Sequence, residues 1–151
     1  MATLIKGRRI ATQTALSPSG EAQEQGAAQG PALEQEQGEV VRLEPADDPA
    51  SVAGRLDQIA RIEVNFPKFG DGRGYSIARL LRERYGYKGE LRAVGWVVRD
   101  HLLYMENCGF DAFLLREGED PEEALTGFED FSESYQATVT KPLPLFRRRS
   151  A

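Results

Sequence analysis

Cysteine and histidine are almost missing: the chain of 151 residues holds one of each, Cys108 and His101. A lone cysteine closes no intramolecular disulfide, which fits a reducing compartment. It cannot hold an iron–sulfur cluster, which takes four protein ligands, and no spacing of ligands points to a zinc site. Bound iron–sulfur, haem or zinc is therefore not expected, and no metal-ligating residues are nominated. Long apolar runs are also missing. None approaches the roughly 20 residues that span a bilayer, and the opening residues MATLIKGRRIATQ lack the apolar centre of a signal peptide. The cytoplasm is the default location, with no membrane partner expected. An excess of basic charge is absent as well. The net charge of −5 argues against a general nucleic-acid binder, although arginines cluster locally and leave room for a small anion site.

What is present divides the chain unevenly. Residues 1–16 open with TLIKGRRIAT, which suits one short strand or a tight hairpin at Gly7. Residues 17–39 hold almost nothing large and apolar. They cannot bury enough surface to offset their ordering entropy and read as a flexible Gln/Glu/Gly-rich linker. Regular patterning begins at Val40 and predicts a βα-repeat domain over residues 40–136. Val40–Leu43 is a strand. Asp48 and Pro49 start a helix with Val52, Leu56, Ile59 and Ala60 on one face. Ile62, Val64 and Phe66 alternate with Arg61, Glu63 and Asn65 as a second strand. A helix is predicted over about 74–85 and a strand over 91–94. A further helix is predicted from Trp96 to Asn107, ending on Gly109 with Phe110 in a Schellman cap. Residues 112–115 form the fourth strand. Asp120 and Pro121 start a helix carrying Ala124, Leu125, Phe128 and Phe131. Arg79, Arg82, Glu83 and Arg84 read as a solvated helix face. Residues 137–151 read as an irregular basic tail. Four βα units predict an α/β fold with a small, mainly parallel sheet. It is either open with helices on both faces or half-barrel-like with helices on one.

Ligands of parallel α/β domains sit at the carboxyl ends of strands. The loop after the second strand, Phe69-Gly70-Asp71-Gly72-Arg73-Gly74-Tyr75-Ser76, occupies that place and leads into a helix. Unpaired helix-start amides, glycines that admit close approach, the Arg73 fork and the Ser76 hydroxyl together make an anion cradle. The competing reading is a tight turn in which Asp71 or Ser76 caps the helix and Arg73 pairs with Asp71 or Glu90. Asp71, Gly72, Arg73, Gly74, Ser76, Glu90 and Arg92 are the ligand-binding candidates, with Arg79, Trp96 and Asp100 as secondary ones. Tyr75 stands where a dinucleotide fingerprint needs its third glycine or alanine, and no Gly-Lys-Ser/Thr of a phosphate loop follows. No nucleophile elbow is present. His101 reads as a packed or partly exposed histidine and Cys108 as a packing residue.

The string FPKFGDGRGYSIARLLRERYGYKGELRAVGWVVRDHLLYMENCGFDAF, residues 66–113, resembles a bacterial family of unknown biochemical function. Its members are described as oxidoreductases involved in sulfite reduction, and its genes accompany those of assimilatory sulfate reduction. Asp71–Ser76, Gly89–Ala93 and Gly109–Asp111 carry the likeness. Family members commonly have an acidic residue near Trp96 and glutamine at His101. The resemblance implies an accessory protein of assimilatory sulfite reduction that binds sulfite reductase, its electron donor or a sulfur oxyanion. Two alternatives stand beside it: a small oxidoreductase with an unrecognised cofactor site, and an anion-binding sensor without redox activity. The cofactor is unknown, because no motif for siroheme, flavin or nicotinamide is visible.

Overall fold

The computed structural model describes residues 2–14 and 38–148. The linker read over residues 17–39 lies, except for Gly38 and Glu39, outside them. The chain opens as a β-hairpin of β1 (Ala2–Lys6) and β2 (Arg9–Thr14). Gly7 and Arg8 both have φ of 58°, the positive values that a two-residue hairpin turn requires. Four parallel strands follow: β3 (Glu39–Leu43), β4 (Ile59–Phe66), β5 (Glu90–Gly95) and β6 (Ala112–Leu114). They join the hairpin in one open sheet of order β2-β1-β6-β5-β4-β3, with β1 antiparallel to both β2 and β6.

The parallel strands lie side by side in chain order, so right-handed crossovers carry every connection over the same face. That face is apolar. Ile62, Val64, Leu91, Ala93 and Phe113 pack there with Ile77, Leu81, Leu102 and Met105 in one buried cluster. Each of these side chains other than Ala93 contributes about 1.5–3 kcal/mol through burial. The other face carries a charged patch among smaller apolar residues such as Val94 and Ala112. Arg42, Glu63 and Arg92 stand in register across three strands, with Arg61 opposite Glu90 beside them. Of the two predicted architectures, the one with helices on a single face is the one adopted. The sheet remains open.

The connections differ in detail from the periodicity. Asp48 caps the first, accepting a hydrogen bond from the Ala50 amide at 2.9 Å. The connection itself is a 3-10 helix, Pro49–Gln58, broken at Arg55, and Ile59 and Ala60 already belong to β4. The second is α1 (Arg73–Arg79), which widens into a π turn over Leu80–Arg84. The predicted helix from Trp96 starts late. Trp96–Val98 run outside any helix, a 3-10 turn covers Arg99–His101, and α2 spans Leu102–Cys108. Gly109 takes the left-handed conformation and the Phe110 amide reaches Met105 O at 3.2 Å, the predicted Schellman cap. Asp120 caps α3 (Pro121–Thr126) by accepting from the Glu122 and Glu123 amides. Phe131 was expected on that helix's apolar face. It lies beyond the helix and is exposed. The tail is irregular up to α4 (Leu145–Arg148) and is tied back through Val139 N to Asn107 O at 3.0 Å.

Candidate functional site

The loop between β4 and α1 is tight. The Asp71 amide donates to Lys68 O at 3.2 Å, and Gly74 lets α1 ride on the strand. A Cβ at Gly74 would stand 2.7 Å from the Phe66 ring. The Asp71 side chain is only 4 % exposed, and Arg73 grips it. Arg73 Nε and Nη2 donate to its two oxygens at 3.0 and 2.7 Å, and the Arg73 amide adds a third bond. The Arg73 guanidinium thereby holds the Asp71 carboxyl well below its ordinary value, at about 2. The fork that suited an external anion is thus occupied from within by Asp71, one of the two partners that the tight-turn reading gave it, whereas the N-cap of α1 is Gly72 and neither Asp71 nor Ser76 caps the helix. Gly72 and Ser76 flank the pair and are exposed.

A depressed folded-state pKa gives stability that is present above the unfolded value and lost as pH falls through the folded one. The stability difference between the protein and Asp71→Asn is therefore expected to be constant above about pH 5 and to shrink between about pH 4 and 2. Denaturant titrations across that range measure it. A difference independent of pH would contradict the pairing.

The other nominated residues stand elsewhere. Glu90 and Arg92 lie on the same charged face of β5, joined by a hydrogen bond from Arg92 Nε at 2.8 Å within an ion pair, and Lys6 of β1 reaches Glu90 at 2.7 Å. Burial raises the Glu90 carboxyl, but the Lys6 and Arg92 cations outweigh it and leave the group below its ordinary value. At about 3.3 Å per residue, the five steps from Glu90 to Gly95 put roughly 16 Å between this cluster and the strand's carboxyl end. It is a sheet-face charge network, apart from the loop. Arg79 pairs with Glu83 one turn on at 3.0 Å, and Asp100 is an exposed neighbour of Arg99. Trp96 remains at the carboxyl end of β5, its amide donating to Phe66 O at 2.7 Å.

What the loop does present is aromatic. Phe69 is 63 % exposed, and its ring lies 4.8 Å from that of His101. Tyr104, one helical turn on and 59 % exposed, meets Tyr75 edge-on at 4.9 Å. Tyr75 in turn contacts Phe66 in the core at 5.0 Å. Burial pushes the Tyr75 hydroxyl up to about 12, so the ring stays neutral at physiological pH. Beneath the ledge, burial likewise raises the Cys108 thiol, against an opposing hydrogen bond from Tyr104. The sequence marks Phe69 only as the first residue of the loop and gives Tyr104 no mark. The available signal was an aromatic at a loop tip together with His101 and Tyr104 spaced three apart on one helical stripe.

Among the described residues no group of three His, Cys, Asp or Glu side chains could hold a metal ion. No helix there is long and apolar enough to cross a membrane.

The molecule is thus a one-sided α/β module of βα repeats with an aromatic ledge at the carboxyl end of its parallel strands. It belongs to the family described as bacterial protein of unknown function (DUF934), which matches residues 40–146. The match takes in the whole stretch that carried the resemblance and extends from the first parallel strand to the tail. No curated protein and no solved structure matches the chain.

Proposed function

We propose that this protein is an accessory factor of assimilatory sulfite reduction that docks, through its aromatic ledge, on sulfite reductase or the protein that supplies its electrons. The observation that carries the docking is the ledge itself. Large apolar rings held out in solvent cost free energy unless something covers them, and contiguous exposed apolar patches mark interaction sites. Phe69 and Tyr104 are each braced by a second ring, His101 and Tyr75 respectively, so little side-chain entropy remains to be lost on binding. Arginine and aromatic side chains dominate interface energetics, and Arg73 is fixed beside the ledge by Asp71. The pathway comes from the family resemblance of residues 66–113.

Tagged protein is expected to retain sulfite reductase or its electron donor from an extract of its own cells. Deletion of the gene is expected to slow growth on sulfate and leave growth on sulfide or cysteine unchanged. Equal growth on all three sulfur sources, with neither protein retained, would overturn the proposal.

A further inference from the structure

The arginines that the sequence offered for anion binding are already engaged. Asp71 occupies Arg73, Glu90 occupies Arg92, and Glu83 occupies Arg79. Arg116 differs. It follows β6 at the carboxyl end of the sheet, and its guanidinium carbon lies 3.8 Å from the centroid of the Trp96 ring. No carboxylate among the described residues pairs with it. Both halves of the stack are anchored in backbone: the Trp96 amide to Phe66 O at 2.7 Å, the Arg116 amide to Val97 O at 2.9 Å. The stack therefore joins the ends of three adjacent parallel strands.

We propose that Arg116, laid on Trp96, is a binding site for a small oxyanion. A guanidinium stacked on an indole uses its face for the ring and leaves its edge N–H groups in their fixed fork. That fork matches two oxygens of a sulfate, sulfite or phosphate in parallel hydrogen bonds. Stacking removes part of the rotamer freedom that a lone exposed arginine would lose on binding. The position agrees with the rule that ligands of open parallel sheets bind outside the carboxyl ends of the strands. The site is independent of the aromatic ledge and of the docking reading.

Trp96 is the chain's single tryptophan, so its emission reports on Arg116 without labelling. Sulfate, sulfite and phosphate are each titrated at constant ionic strength, with chloride as the balancing ion. At least one is expected to change the emission saturably, with a dissociation constant below about 1 mM. Arg116→Ala is expected to weaken that response at least about 10-fold, and Arg73→Ala to leave it unchanged. Arg116→Lys keeps the charge without the fork and is expected to fall between them. Arg116→Gln replaces the alanine variant if that one does not fold. Absence of a saturable change with all three anions would overturn the site. So would a response that survives loss of Arg116, or one that Arg73→Ala abolishes.

Discussion

Gly95→Ala is expected to destabilise the protein by about 3 kcal/mol, lowering its melting temperature by about 10 °C. Gly95 ends β5 with φ of 90°, where a side chain is strained whatever the space around it. A Cβ there would also stand 2.4 Å from Phe66 O and 2.6 Å from Asn65 Oδ1. The first of these is backbone of the neighbouring strand and cannot swing aside. Left-handed strain of about 1–2 kcal/mol is therefore joined by an overlap of similar size. The same turn sends the Trp96 amide back to Phe66 O, so the substitution also displaces the Trp96–Arg116 stack. Thermal melts together with Trp96 emission check both consequences. A variant melting within about 2 °C of the parent would contradict the geometry.

Arg82→Ala is expected to cost a similar amount for a different reason. Arg82 lies in the π turn after α1 and is 14 % exposed in its side chain. Its Nη1 donates to Tyr87 O and Gly89 O, both at 2.8 Å, and its Nε to Gly109 O at 2.9 Å. Nη2 stands 3.4 Å from Asp111. One guanidinium thus ties the segment that feeds β5 to the cap that feeds β6. Removing it leaves three part-buried carbonyls without that donor, at about 1 kcal/mol or more each. Arg82→Lys is expected to recover less than half of the loss, because one ammonium cannot reach three carbonyls along a planar fork. Denaturant midpoints of the two variants measure this. Full rescue by lysine would show that charge, and not the fork, is what counts.

Arg82 also illustrates what the sequence conceals. Its neighbours Arg79, Glu83 and Arg84 do lie on an exposed helical face, and helical spacing gives Arg82 no different mark. Its partners are carbonyls of loops whose paths are set by tertiary packing. Signals that act within a few residues were legible: Asp48 and Asp120 as caps, the Schellman end at Gly109 and Phe110, the hairpin at Gly7, and the alternation of β4. The late start of α2 was not. Trp96, Val97 and Val98 fit a helical face by spacing, but the left-handed Gly95 and the pull of Phe66 O keep Trp96–Val98 out of the helix. At the candidate site the loop was legible by position, whereas its chemistry was not. Arg73 could serve an anion or Asp71, and only the fold, which buries Asp71, decides between them. The ledge depends on a contact between a loop and the 3-10 turn before α2, 32 positions apart, Phe69 and His101, which no local pattern encodes.

The proposed docking joins the aromatic ledge to sulfite reductase or to its electron donor. Its most direct test is calorimetric titration of purified sulfite reductase, and separately of its electron donor, with the parent protein and with the Phe69→Ala/Tyr104→Ala variant. Both side chains are more than half exposed, so the variant is expected to melt within about 2 °C of the parent. The parent is expected to bind one of the two proteins, and the variant to bind it at least about 30-fold more weakly, the loss that a hot-spot aromatic produces. Binding of equal strength by both would contradict the ledge, and no binding of either protein by the parent would contradict the proposed role.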